Sequence, residues 1–251
     1  MPNQKQKGKN DTIMKKYLLL HKKCGEIVAE SVSKDYSQLH GQTNLFLCEL
    51  ESWIEIIKPS REHHLLFLAA QEYQYAALAL TQGLYRQAFK GLRLVLELCL
   101  QALFLSTNQL MLREWFENRK DTIWSEITDD TNGVLSVRFA KAFFPTLEQH
   151  VCQFRKNARK NYRKCSEYVH GNIKTLQDLP DTLAFNAQLF KSWHETANEV
   201  ALVVSFSLAL RYLKEFDSKE LNIIESKLLD RLGHIEAIRL VFDEPQGGLN
   251  D

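Results

Sequence analysis

The chain reads as all-α, a helical bundle, on three observations. Apolar residues recur at three- and four-residue spacing through most of its 251 residues, and no run alternates apolar and polar as a half-buried strand would. Ten glycines and five prolines are few for this length, so long helices outweigh tight turns. Hydrophobic residues make up 45% and charged residues 25%, the ordinary balance of a chain that can bury a sizeable core.

The elements follow in order. Residues 1–11 are polar and basic without an apolar centre, which predicts a disordered tail and no secretory signal. Ile13, Tyr17, Leu20, Cys24, Ile27 and Val28 predict a first helix over 12–34. A second covers 38–58 and is stopped by Pro59. Together they form an N-terminal layer (12–58) packing on the main helical domain (59–242). Ser60 is placed to cap the third helix, and Gly83 to end it. The stretch after Gly83, LYRQAFKGLRLVLELCLQALFLS, is apolar around most of its circumference and belongs at the bundle centre. Its Arg93 and Glu97 stand at i, i+4 and can pair, either to fix register or to support a neighbouring helix.

Short helices follow around Leu110, Leu112, Trp115 and Phe116, and around Ile123 and Trp124. TDDTNG at 128–133 is a turn, 134–144 a helix, and Pro145 a restart. A basic helix over 146–168 breaks near Gly171-Asn172, and a polar loop fills 174–181. A long helix over 183–216, a shorter one over 218–232 and a disordered tail over 243–251 complete the chain.

Several functions are excluded or disfavoured. A net charge of +1 gives no global attraction to nucleic acid, so any such binding needs a local patch. Five cysteines without a CxxC predict free thiols rather than disulfides or zinc. GxGxxG, GxxxxGK[ST] and HExxH are absent, and no cofactor or metal is expected. The longest apolar run, 200–210, has 11 residues against the roughly 20 that a bilayer takes, so no membrane partner and a cytoplasmic location are expected.

The positive charge is concentrated instead. Six of the ten residues 155–164 are basic. On a helix Arg155, Arg159 and Arg163 form one stripe, with Lys156, Lys160 and Lys164 beside it. Like charges at that spacing repel by roughly 0.2–0.5 kcal/mol per pair, a cost that an anion such as a phosphate backbone would offset. His170 follows Arg163 by seven residues, about two turns, so both point one way. A guanidinium forks onto phosphate, and an imidazole exchanges protons near neutrality. The pair can serve attack of an RNA 2′-hydroxyl on the adjacent phosphate, giving a 2′,3′-cyclic phosphate without a metal. Ser166, four residues before His170, is placed to hydrogen-bond it, and Asn172 follows as a second positioning group. Equally, Glu167 can neutralise Arg163 at i+4 while His170 merely caps the helix. Cys165 and His170 lie about 140° apart and do not make a nucleophile pair.

The stretch RKCSEYVHG, with six residues between its arginine and histidine, resembles the R-x4-6-H signature of the HEPN superfamily (higher eukaryotes and prokaryotes nucleotide-binding domains). ALTQGLYRQAFKGLRLVLELCLQAL is similar to the early hairpin of that fold, and the likeness spans roughly residues 61–214. It implies a bundle that dimerises through its motif-bearing helices and cleaves RNA as a toxin or anti-phage effector, with an antitoxin or regulatory protein as a possible partner. In that scheme His170 is the acid/base and Arg163 the phosphate stabiliser, while Arg155, Lys156, Arg159, Lys160 and Lys164 line the RNA path. Two positions depart from it: Lys164 where asparagine, aspartate or histidine commonly follows the arginine, and Asn172 where many related toxins carry tyrosine. Some members are non-catalytic, so a nucleic-acid- or protein-binding module is the alternative.

Overall fold

The computed structural model describes the backbone of residues 3–243, with side chains from Thr12 onward except Lys174. Among these residues all regular structure is helical, as expected. The helices are α1 (Asn3–Ser31), α2 (Ser37–Ile56), α3 (His63–Thr81), α4 (Tyr85–Ser106), α5 (Gln109–Phe116), α6 (Trp124–Ile127), α7 (Val137–Phe143), α8 (Glu148–His170), α9 (Ile173–Asp178), α10 (Ala187–Tyr212), α11 (Ser218–Leu232) and α12 (Glu236–Asp243).

The α3–α4 hairpin is built first by its turn. Gly83 takes φ +75°, and its neighbour Leu84 donates N–H to the Ala79 carbonyl at 2.8 Å, closing α3. Gly91 lets the two helices touch, because a Cβ there would lie 2.6 Å from that of Ala76. α4 and α10 form the centre, and α2, α3, α8 and α11 pack around one or both of them. α10 is buried over most of its length, from Leu189 to Tyr212. A half-buried ion pair joins α11 to α2: Arg231 Nε lies 2.7 Å from Glu49 Oε2, whose carboxylate also accepts from Trp53 Nε1.

Several expectations change. α2 buries Phe46, Leu50 and Trp53 completely and packs on α3, α10 and α11, so it belongs to the bundle and not to an added layer. Of the first two helices α1 is the peripheral one, anchored by Ile27 and by Ser31, whose hydroxyl donates to the Thr81 carbonyl. Its helical backbone begins at Asn3, inside the segment read as a tail; residues 1–2 and 244–251 lie outside the described residues. Ser60 is not the cap of α3. That position falls to Glu62, whose side chain instead accepts from the buried Tyr212 hydroxyl at 2.9 Å. The loop expected at 174–181 opens as α9, because Thr175 turns inward and donates to the Glu167 and Asn172 carbonyls.

His194 on α10 is almost wholly buried among Phe190, Trp193 and His40, and neither ring nitrogen has a hydrogen-bond partner. Burial, then the nearby His40, pushes its pKa down to about 4 from an ordinary 6.5. The unfolded chain therefore binds the extra proton first, and stability is lost as pH falls from the unfolded value through the folded one. Each pH unit crossed costs about 1.4 kcal/mol at most. Urea unfolding across this window should show a falling midpoint that flattens in His194→Phe; equal slopes for both proteins would remove this role.

Candidate functional site on the basic helix

α8 follows a short turn opened by Pro145 and carries its buried residues on one stripe: Val151, Phe154, Ala158, Asn161, Cys165 and Tyr168. Stacked rings hold it on both sides. Phe154 lies on Phe206 of α10 with centroids 3.7 Å apart, and Tyr168 on Phe89 of α4 at 4.1 Å. Tyr162 stacks on Trp124 at 4.0 Å and accepts a 2.7 Å hydrogen bond from Arg93, which also pairs with Glu97 at 3.1 Å. Arg93 thus pairs with Glu97 within α4 and also bonds α8 one residue before Arg163.

The helix ends where the sequence places the break. Gly171 adopts φ +67°, ψ 43°, and its N–H and that of Asn172 both reach the Glu167 carbonyl. A side chain at 171 would meet little but would force an unfavourable left-handed backbone.

Arg163 and His170 occupy the outermost line of α8, opposite the buried stripe and both exposed. Seven residues place them about 20° apart around the helix and about 10 Å apart along it. Among the described residues neither side chain is held by an ion pair or hydrogen bond, and Glu167 does not neutralise Arg163 within ion-pair distance. They stand on a ridge: one chain alone supplies no opposing wall.

The other expected site residues divide. Arg155, only 13% exposed, lies 3.0 Å from Asp130 Oδ1 and donates to the Leu135 carbonyl at 2.8 Å. Arg159 meets the same carboxylate oxygen at 2.8 Å and the Thr128 carbonyl. Both clamp the 128–133 turn, where Asp129 accepts from the Thr131 and Asn132 N–H groups, and these bonds hold its carboxyl below the usual range. Lys160 pairs with Glu199 of α10 at 3.3 Å. These three are engaged within the chain, Lys160 with its side chain still 67% exposed; among the described residues Lys156 and Lys164 are without ion pairs. Ser166 does not bond His170: its hydroxyl is buried without a partner. Asn172 uses its carbonyl to start α9, accepting from Thr175 and Leu176. Cys165 is buried, which pushes its thiol up to about 12 and rules it out as a nucleophile.

Sequence reasoning missed Arg86. Its guanidinium lies 3.9 Å from where a Cβ on Gly171 would stand, at the carboxyl end of α8. There it complements the negative end of the helix dipole. The signal is the antiparallel register of α4 on α8 (Phe89 with Tyr168, Arg93 with Tyr162), which periodicity alone does not give.

Tyr162→Phe tests the brace. It removes the acceptor of a charged, half-buried donor, and urea unfolding should show a loss of about 1.5–3 kcal/mol; an unchanged midpoint would show that the brace contributes nothing. No family model, curated protein or solved structure matches this chain.

Proposed function

We propose that this protein is a metal-independent endoribonuclease acting as a homodimer, with Arg163 and His170 at the scissile phosphate. The observation that carries the reading is a guanidinium and an imidazole on one exposed line, both without a partner among the described residues, on a helix whose other side is packed. Seven residues set the two about 10 Å apart along the axis, beyond direct contact around a single phosphate oxygen. A second copy docked antiparallel along α8 brings its own Arg163 opposite His170 and supplies the missing wall. In each composite site His170 of one copy takes the 2′-hydroxyl proton as the oxygen attacks phosphorus, and Arg163 of the other copy holds the phosphorane charge. The departing 5′-oxygen takes its proton from solvent. The products are a 2′,3′-cyclic phosphate and a 5′-hydroxyl. Lys156, Lys164 and Arg86 guide the strand. A toxin or anti-phage role, held in check by a partner protein in the cytoplasm, is what the HEPN resemblance adds to this chemistry.

A second reading has its own support. Arg155, Arg159 and Lys160 are engaged within the chain, which leaves a smaller cationic face than the sequence promises and favours a non-catalytic module binding nucleic acid or protein.

The two separate in one assay. Arg163→Ala and His170→Ala are surface changes that leave the fold intact, and each should lower cleavage of single-stranded RNA by about 10²–10³. Cyclic-phosphate ends should be present with wild type and scarce with either variant. Undiminished cleavage by the double variant, or no cleavage by wild type, rejects the catalytic reading.

A further inference from the structure

From Thr12 to Glu26 no side chain of α1 is buried. Ile13, Met14, Tyr17, Leu18 and Leu20 are half to two-thirds exposed, from 49% for Ile13 to 66% for Tyr17. A contiguous apolar surface of this kind on a water-soluble bundle calls for an occupant. At 100° per residue, Leu20, Ile13, Cys24, Tyr17, Met14 and Leu18 fall within one half of the circumference, with His21 among them. The same line continues into Ile27, which is buried on the bundle beside Gly83. The apolar face that anchors α1 thus runs on past the edge of its own protein.

Charge and shape decide what covers it. Residues 12–25 hold four lysines and no acidic residue, in a chain whose net charge is +1. Lys15 and Lys22 flank one border of the apolar half, and Lys16 and Lys23 the other, Lys23 lying 3.3 Å from Glu26; Leu19 alone breaks the polar side. A second α1 is a poor cover, because it would set like-charged lysine rows against each other. The apolar half is also wider than the narrow seam of a coiled coil. Rows of lysine along both borders of a broad apolar face fit a planar, negatively charged, apolar-cored surface, with lysine stems along the apolar edge and ammonium groups at the headgroups.

We propose that α1 is a surface anchor for anionic lipid bilayers, lying in the headgroup layer while the bundle stays in water. Among the described residues no helix is long and apolar enough to cross a membrane, so attachment is peripheral. The sequence predicts no membrane partner; the exposure of α1, which periodicity does not give, points to one. The proposal is independent of the ribonuclease reading.

The test is sedimentation of the full-length chain with phosphatidylcholine vesicles, with and without phosphatidylglycerol, for wild type, Leu20→Asp and Lys15→Ser/Lys22→Ser. All three substituted positions are exposed, so the fold is untouched. Wild type should bind only the anionic vesicles. Leu20→Asp should abolish binding, and the double serine variant should weaken it more than about tenfold, each lysine near such a surface being worth roughly fivefold. No binding, or equal binding to neutral vesicles, overturns the proposal. So does light scattering in which wild type is dimeric and Leu20→Asp monomeric, since a second copy then covers α1.

Discussion

The site depends on how α8 is wedged. Phe154 against Phe206 and Tyr168 against Phe89 fix two points on its buried stripe, each ring pair nearly parallel and within 4.1 Å. Between them the Arg93–Tyr162 hydrogen bond ties the same helix to α4. A rod held at three points cannot roll. Because α8 cannot rotate, the residues opposite its stripe have no choice of direction, and Arg163 and His170 face solvent together. Rolling the helix by one residue's angle, about 100°, would bury one flank of the cationic face and expose the core stripe.

The same packing sorts the positive charge. Where α8 passes the 128–133 turn, Arg155 and Arg159 are drawn down onto Asp130 and backbone carbonyls, so their role is to hold a turn rich in polar residues against the helix. Gly133 makes the turn tight enough for this: a Cβ there would fall 2.5 Å from the Asp129 nitrogen. Among the described residues no ion pair reaches Lys156, Arg163 or Lys164, and Arg86 lies near Gly171 at the carboxyl end of α8. Part of the cationic face is architecture, and the rest is unpaired.

Much of this was legible in the sequence. The all-α class, the central position of α4, the Gly83 turn, the Gly171 break and the 218–232 helix follow from periodicity and from glycine's tolerance of positive φ. So does the shared direction of Arg163 and His170, since residues seven apart align on any helix. What the sequence could not give is whatever depends on a neighbour from far along the chain. The capture of Arg155 and Arg159 by Asp130, the pairing of Lys160 with Glu199 and the approach of Arg86 to Gly171 all need the register of packed helices. The misreading of α2 has the same origin, for amphipathic spacing shows that a helix has an apolar face but not what that face meets. Ser166 shows the limit at short range: four residues from His170 is close enough to bond it, yet the hydroxyl turns into the protein.

The account centres on one phosphate being served by an arginine from one copy and a histidine from the other, and mixing two inactive variants tests this most directly. In the proposed homodimer, Arg163→Ala and His170→Ala proteins unfolded together and refolded would give mixed dimers that carry one site with both groups intact only if the pair acts across the interface. RNA cleavage in the mixture should then recover to a sizeable fraction of wild type, with 2′,3′-cyclic phosphate ends. A mixture as inactive as its two components, from an active wild type, would show that the pair does not act across two copies.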